Sequence, residues 1–293
     1  MDVWHRLGRI FRIQNFGTLI FFLLNIGLIL AIFCPDGITL ENVSPLMMCY
    51  ICTVLVSISP IGEWMLATFA GAREIKRKDI KIKIIPLMEI VFEEAKQLTP
   101  SMVNSIRLKI IHEPLPNAYA IGRRTICVTD GLLNLSDEEI MAVLAHEVGH
   151  LAYHHSAIQL LIGGGNVFIS GALLIIKVAC WIVASLFAVV GISTRSFIGA
   201  FFITFLGGIS TILIWLWTKF CMVFLMWSMR QNEFIADEYA YKLGHGATLA
   251  SVLDQQMCST SNNGLLKALY ATHPDNDERV ARLQELGASY YAY

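Results

Sequence analysis

The segment His146-Glu147-Val148-Gly149-His150 has two histidines and an acid at the spacing of a zinc site. On a helix, residues four apart lie on the same face, so the two imidazoles can bind one ion. Glu147 lies between them and can reach a water molecule on that ion, as the general base in metal-assisted hydrolysis must. Only three residues of this pattern are fixed, and chance matches occur, so its significance depends on its surroundings.

The residues before this segment predict the helix that it needs. Ser136 is a suitable N-cap, and Glu139, three residues later, completes a capping box. A largely apolar run then leads to Ala145. The two histidines therefore fall on a helix that the local sequence supports independently.

A catalytic zinc ion usually has three protein ligands and a water molecule, so a third ligand is needed. His154 continues the spacing, but on an unbroken helix it lies about 12 Å along the axis from His146, too far for one ion. A histidine at position 156 would complete another known zinc pattern, but that residue is Ser156. We expect His154 and His155 to be polar residues near a membrane surface.

Glu233 and Asp237 are the remaining candidates for the metal site. They are four residues apart, so both carboxylates share one helix face. One carboxylate can bind the metal while the other accepts the free N–H of a ligand histidine. An ordinary solvated acidic face explains the same spacing equally well.

The composition is that of a membrane protein. The chain has 293 residues, of which 55% are hydrophobic and 15% are charged, and its mean hydropathy is +0.58. A soluble domain carries about a quarter charged residues. The net charge of −1 gives no indication of nucleic-acid binding. The seven cysteines are scattered, and Cys49 and Cys52 have no second pair to complete a zinc site, so neither a disulfide framework nor a cysteine metal site is predicted.

Four apolar segments are long enough to cross a bilayer, which takes roughly 20 helical residues. They are predicted at about 16–34, at about 44–70 and, as a hairpin, twice within 157–228. Arg195 marks the turn of the hairpin. Lys177 either lies inside the third span or ends it, with its amine reaching the membrane surface.

Basic residues predict the orientation of these spans. They precede the first span and follow the second, whereas the short loop between the two contains none. By the positive-inside rule, the N-terminus and the segment after the second span are cytoplasmic. Anionic headgroups account for the basic run 73–83, so no nucleic-acid partner is expected. The basic residues are Arg6, Arg9, Arg12, Arg73, Lys76, Arg77, Lys78, Lys81 and Lys83.

The alternation of apolar and polar segments predicts a mainly α membrane protein with an α+β catalytic part. The expected parts are two transmembrane helices in 1–70, the first half of a cytoplasmic domain in 71–156, a transmembrane hairpin in 157–228, and the second half of the domain in 229–293. The elements predicted in the first half are a helix at 84–98 and strands at 107–112, 118–121 and 125–129. The second half is predicted to be helical throughout.

The order of HEVGH, a transmembrane hairpin and Glu233-Phe-Ile-Ala-Asp237 resembles the HtpX-type membrane zinc metalloproteases, which are gluzincins related to the CaaX prenyl proteases. Further matches lie at 116–120, at 129–133 and at 272–274, with Arg279 beyond them. The resemblance covers nearly the whole chain. It implies a gluzincin-like zinc protease domain with a small β-sheet and four transmembrane helices. Residues that bind one ion lie on the same side of the membrane, so an even number of crossings must separate them. Two crossings separate the HEVGH helix from Glu233.

The resemblance also implies the roles of single residues. His146, His150 and Glu233 would bind one Zn²⁺ per chain, and Asp237 would support a ligand histidine. Asn117 and Ala118 would lie on an edge strand beside the substrate. His273 would stabilise the oxyanion, although a structural capping histidine is an equal alternative. Arg279 is expected to be a structural ion-pair partner.

The activity implied is a zinc endopeptidase acting on membrane or membrane-proximal proteins, at the cytoplasmic face of a bacterial inner membrane, in protein quality control. Two other classes of function fit these residues less well. An inactive zinc-binding scaffold would not need Glu147 and would usually have four protein ligands. A zinc carrier needs His, Asp or Glu within its spans, and 157–228 contains none; Glu63 is the one acid of the second apolar segment.

Overall fold

In a computed structural model of the chain, the described residues are 16–34, 36–194, 229–255 and 276–290, with isolated positions at 201, 205, 207–208, 211–212 and 215–216. The chain divides into two compact units. The first consists of Met1–Val54 and Ile162–Trp227, and the second of Leu55–Leu161 and Ser228–Tyr293.

The long apolar helices lie mostly in the first unit. Helix α1 is Phe16–Phe33, α2 is Leu40–Ser57, and α6 is His155–Thr194. Among the described residues, three stretches are long and apolar enough to cross a membrane: Phe16–Phe33, Leu40–Ser57 and His155–Val183. Lys177 lies in the last of these and is exposed. The predicted turn at Arg195 and most of the fourth predicted span lie outside the described residues.

The second predicted span, 44–70, is wrong as a single element. Its residues form α2 and a separate short helix, α3, at Pro60–Phe69. Ser59 between them has extended backbone angles, and its hydroxyl accepts a hydrogen bond from the N–H of Ile61 at 3.2 Å as an N-cap. Pro60 has no N–H to continue the hydrogen bonding of the preceding turn, so a new helix begins there.

The second unit contains a four-stranded sheet in the order β1-β2-β4-β3. Strands β2 and β4 are parallel, whereas β3 and β4 form an antiparallel hairpin and β1 is antiparallel to β2. Strand β3 is therefore an edge. The strands are Arg73–Glu74, Arg107–Ile111, Ala118–Ile121 and Thr125–Thr129. The three predicted strands are confirmed, with β2 ending one residue early. β1 has only two residues, both exposed, and so has no alternation by which to predict it.

Helices pack around one face of this sheet and bury its apolar residues. Helix α5 lies at the centre, where Ile140, Leu144 and Val148 join a core with Ile84 and Val91 of α4. Helix α4 begins at Lys78, ahead of the predicted start at residue 84. The helices of this unit are α4 at Lys78–Leu98, α5 at Asp137–Ala152, α7 described over 229–242, α8 at Gly246–Gln255 and α9 at Asn276–Glu285.

Candidate metal centre

Helix α5 carries the HEVGH segment into the interior of the second unit. The predicted capping box is confirmed: Ser136 Oγ accepts from the N–H of Glu139 at 3.3 Å, and Glu139 Oε2 accepts from the N–H of Ser136 at 2.9 Å. Every residue of α5 from Ala142 to Ala152 is buried. The polar side chains of the segment therefore lie where water is excluded, and each needs a partner.

His146, His150 and Glu233 converge at one point. The Nε2 atoms of the two histidines are 3.1 Å apart. One carboxylate oxygen of Glu233, on α7, lies 3.5 Å from His146 Nε2, and the other lies 3.3 Å from His150 Nε2. One potential ligand atom from each residue lies within 4.8 Å of the others. Two imidazole nitrogens and a carboxylate, with room for a water molecule, are the donor set of a catalytic zinc site, so these residues fit the implied metal.

Gly149 allows α5 and α7 to approach closely enough for this convergence. A Cβ atom at this position would lie 3.1 Å from Ala236 Cα and 3.1 Å from Tyr239 Cβ, both on α7. Gly149, a variable position of the zinc pattern, therefore sets the separation of the two helices that carry the side chains of the candidate metal site. No local pattern predicts this role of Gly149, because it depends on a contact with a segment more than eighty residues away.

Asp237 and Arg279 hold the outer side of His146. Asp237 Oδ1 is 2.8 Å from His146 Nδ1. Arg279, on α9, donates from Nε to Asp237 Oδ2 at 2.8 Å and from Nη2 to Oδ1 at 2.6 Å. Its Nη1 also lies 3.6 Å from Glu233 Oε2. Arg279 is thus the buried ion-pair partner of the acid that contacts His146, and it faces the carboxylate of the metal cluster as well.

These contacts shift the pKa values of His146 and Asp237. Burial by itself lowers the pKa of His146, but the hydrogen bonds to Asp237 and Glu233 outweigh it and raise the pKa to about 10. Burial raises the pKa of Asp237, but Arg279 and His146 outweigh this effect and lower it below its ordinary value. Asp237 is therefore an anion that accepts the Nδ1 proton of His146 and leaves Nε2 facing Glu233.

His155 is a buried neighbour of His150, contrary to the expectation of a polar residue near the membrane surface. It is 3% exposed, and its Nδ1 lies 3.1 Å from His150 Nδ1. Helix α5 ends at Ala152, and His154 has a positive φ of 63°, so the chain turns and returns His155 to the site. The Tyr153 ring stacks on the His155 ring at 5.7 Å. The expectation for His155 assumed that the helix continues unbroken, and this turn at His154 ends it.

Glu147 points to the edge strand of the sheet. Its Oε2 accepts a hydrogen bond from the backbone N–H of Ala120, on β3, at 2.6 Å. Burial raises the pKa of Glu147, although the nearby His150 and His146 act in the opposite direction. A carboxylate with a raised pKa is a stronger base than an ordinary glutamate.

Asn117 and Ala118 lie at the start of the same edge strand. The backbone N–H of Asn117 donates to Oγ1 of Thr129, on β4, at 2.8 Å. Its C=O accepts from the N–H of Thr129 at 3.0 Å. The side-chain Oδ1 of Asn117 accepts from the N–H of Ala118 at 2.8 Å. Ala118 and Ala120 therefore direct their N–H groups away from β4, toward the outer edge. His273, the candidate oxyanion donor, lies outside the described residues.

Known proteins similar to this chain are peptidases. The model of peptidase family M48 matches residues 87–287. A protease HtpX homolog of Sulfurovum sp. (strain NBC37-1) is 30% identical over 207 residues, which is 61% of this chain and 68% of the relative. A protease HtpX homolog of Tropheryma whipplei (strain Twist) is 28% identical over 209 residues, 61% of this chain and 65% of the relative. The matches thus span about two thirds of the length of these relatives.

Among solved structures, the crystal structure of S. mikatae Ste24p aligns with a TM-score of 0.46 and 20% sequence identity, covering 92% of this chain and 63% of that one. The family model extends over well over half of the chain and includes the HEVGH helix, Glu233, Asp237 and Arg279. The chain therefore belongs to peptidase family M48.

Proposed function

We propose that this protein is a zinc-dependent endopeptidase of the membrane, which hydrolyses membrane or membrane-proximal proteins on the cytoplasmic face of a bacterial inner membrane as part of protein quality control. The observation that carries the proposal is the convergence of His146, His150 and Glu233, with Glu147 on the same buried helix as the two histidines. Membership in peptidase family M48 supports the reaction class.

His146, His150 and Glu233 would hold the metal, and the residues around them orient these ligands. Asp237 accepts the Nδ1 proton of His146, and Arg279 holds Asp237 in place with two hydrogen bonds. His155 would accept the Nδ1 proton of His150, so each ligand histidine would have a partner at Nδ1 and would offer Nε2 to the ion once metal binding displaces any proton there. When bound, Zn²⁺ lowers the pKa of its water molecule toward 7 and polarises the scissile carbonyl group.

Glu147 is the proposed general base. It takes a proton from the attacking water and passes that proton to the leaving amine. The N–H of Ala120 holds one of its oxygens, so the carboxylate is oriented before the substrate arrives. A raised pKa favours the first transfer, because it makes the carboxylate a stronger base toward the attacking water.

The outer edge of β3 is the proposed substrate-binding strand. An extended peptide can add to a free sheet edge through main-chain hydrogen bonds. Ala118 and Ala120 direct their N–H groups to this edge, where the Asn117 side chain and Glu147 accept them, so a docked peptide would replace the contact of Asn117. Because the same strand contacts Glu147, a peptide docked there lies next to the general base.

The test of the reaction compares the purified wild-type protein with the Glu147→Gln variant in nanodiscs, on casein and on a membrane-anchored reporter. We expect the variant to retain one Zn²⁺ and the thermal unfolding midpoint of the wild type, but to cleave about 10²- to 10⁴-fold more slowly. A chelator should abolish wild-type cleavage, and Zn²⁺ should restore it. Equal, chelator-insensitive cleavage by both proteins would contradict the proposed mechanism.

The cytoplasmic orientation needs its own test. Single cysteines replacing Gln97, on α4, and Glu41, at the start of α2, can be probed with a membrane-impermeant maleimide on intact spheroplasts. We expect Cys at position 41 to react at once and Cys at position 97 to react only after permeabilisation. The reverse pattern would contradict the orientation while leaving the peptidase proposal intact.

A further inference from the structure

Helix α3 has its charge on the inside and its apolar side chains on the outside. Glu63, the one charged residue of this helix, is buried. On the opposite face, Ile61 is 60%, Trp64 61% and Phe69 77% exposed. A helix at a water-exposed protein surface has the reverse arrangement, with polar side chains outside.

The inner face of α3 is fixed to the β3–β4 hairpin. The carboxylate of Glu63 accepts hydrogen bonds from the hydroxyl of Thr125 and from the N–H of Arg123, the latter at 3.2 Å. Ala67, one turn along, packs with Ile121 and Cys127 of the same hairpin. Both the hydrogen bonds of Glu63 and the packing of Ala67 fix the orientation of α3. Its apolar face therefore points away from the hairpin.

The single polar residue of the outer face does not require water. Thr68 Oγ1 donates to the backbone carbonyl of Trp64, one turn earlier, at 2.8 Å. Its hydroxyl hydrogen is therefore used within the helix. The outer face can lie in an apolar environment without leaving this donor unsatisfied.

The position of α3 in the chain identifies that environment. Only Ile58 and Ser59 separate it from α2, one of the candidate membrane spans. Gly62 lies so close to the backbone of Ser57 that a Cβ atom would overlap it, which permits a tight turn at the end of the span. Exposed basic residues follow α3, as is typical beside anionic headgroups. These residues are Arg73, Lys76, Arg77, Lys78 and Lys81.

We propose that α3 is an interfacial helix whose outer face, Ile61, Trp64, Met65 and Phe69, is immersed in the headgroup region of an anionic bilayer. Trp is the side chain most typical of this depth, and an amphipathic helix lies in the plane of the interface. Through Glu63, α3 connects the bilayer surface to the hairpin that contains the edge strand β3. The membrane thereby positions the strand that contacts Glu147.

The experiment measures the depth of single nitroxide labels in the full-length protein, reconstituted in nanodiscs of phosphatidylcholine and phosphatidylglycerol. Labels replace Ile61, Trp64 or Phe69 in a background without the seven native cysteines. Leu23, exposed on α1, is the lipid-facing control, and Gln97, exposed on α4, is the water-facing control. Collision with oxygen reports lipid, and collision with a water-soluble nickel chelate reports water.

We expect labels at 61, 64 and 69 to collide with oxygen at least threefold more, relative to nickel, than the label at Gln97. Low accessibility to both reagents would indicate a protein partner, such as a second copy, and would overturn the proposal. Nickel accessibility equal to that at Gln97 would also overturn it. Neither result bears on the peptidase mechanism, because the labels are read without substrate or metal.

Discussion

The Nδ1 atoms of His150 and His155 lie 3.1 Å apart in the interior, although the two residues belong to successive helices. Only one of these nitrogens can donate. In the proposed zinc site His150 would bind the ion through Nε2, so its Nδ1 would carry the proton and the Nδ1 of His155 would accept it. This contact restricts the orientation of the His150 ring before metal binds.

The His155→Phe substitution should weaken Zn²⁺ binding, because Phe preserves the ring that stacks on Tyr153 but cannot accept the proton of His150. We expect the affinity for Zn²⁺ to fall about 10- to 100-fold, as for other partners of metal-bound histidines. The measurement is a competition titration against a chelating dye. His154→Asn is the matched control, since Asn tolerates the positive φ at that position. Equal affinity in His155→Phe and wild type would contradict the assignment.

Gly149 sets the spacing of α5 and α7. In Gly149→Ala, the new Cβ would lie 3.1 Å from Ala236 Cα, so we expect overpacking to cost about 1–3 kcal/mol of unfolding free energy. The Zn²⁺ affinity should fall as well, because Glu233 moves with α7. Gly163→Ala is the control, since no atom lies within 4 Å of its Cβ position. Thermal unfolding and dye competition measure the two effects, and a Gly149→Ala variant that matches wild type in both would refute this role.

Arginine–carboxylate pairs connect α7 and α9, buried at Arg279 and exposed at Arg230. Arg279→Ala leaves Asp237 buried without its counter-ion, so we expect a loss of about 3–5 kcal/mol in unfolding free energy. Arg230 pairs with Glu278 between the same helices, but both side chains are nearly half exposed. Arg230→Ala should therefore cost less than about 1 kcal/mol. Denaturant or thermal unfolding of the two variants compares them directly, and similar losses would argue against the buried network.

The hydrogen bond from Ala120 to Glu147 can be removed without losing the fold. Proline has no N–H, and β3 is an edge strand on which this N–H points away from β4. We expect Ala120→Pro to retain Zn²⁺ but to lower kcat about 10- to 100-fold, which corresponds to one hydrogen bond to a charged group. Tyr119→Pro is the contrasting variant, because its N–H faces β4 and its loss should reduce stability. Unchanged kcat in Ala120→Pro would show that Glu147 does not depend on this contact.

Local patterns were sufficient to predict the helix of the zinc motif and most of the sheet. The capping box at Ser136 and Glu139 and the β3–β4 hairpin depend on residues within a few positions of each other, so their geometry is already present in the sequence. Glu233 and Asp237 could be chosen only with the help of the family resemblance, because an acidic pair at this spacing is common on solvated helices.

Breaks within helices and contacts between distant segments decided the rest. His155 reaches His150 because the chain turns at His154, and Gly149 matters because α7 packs against it. The overall hydropathy of the segment 44–70 predicts one span, yet Ser59 and Pro60 end one helix and begin another, as an N-cap followed by proline can. Glu63 then finds its partners on the β3–β4 hairpin. The sequence by itself determined which residues can bind a metal and which segments can enter a membrane. Tertiary structure decided their separation and hydrogen-bond partners, because packing and burial bring together residues that no local spacing relates.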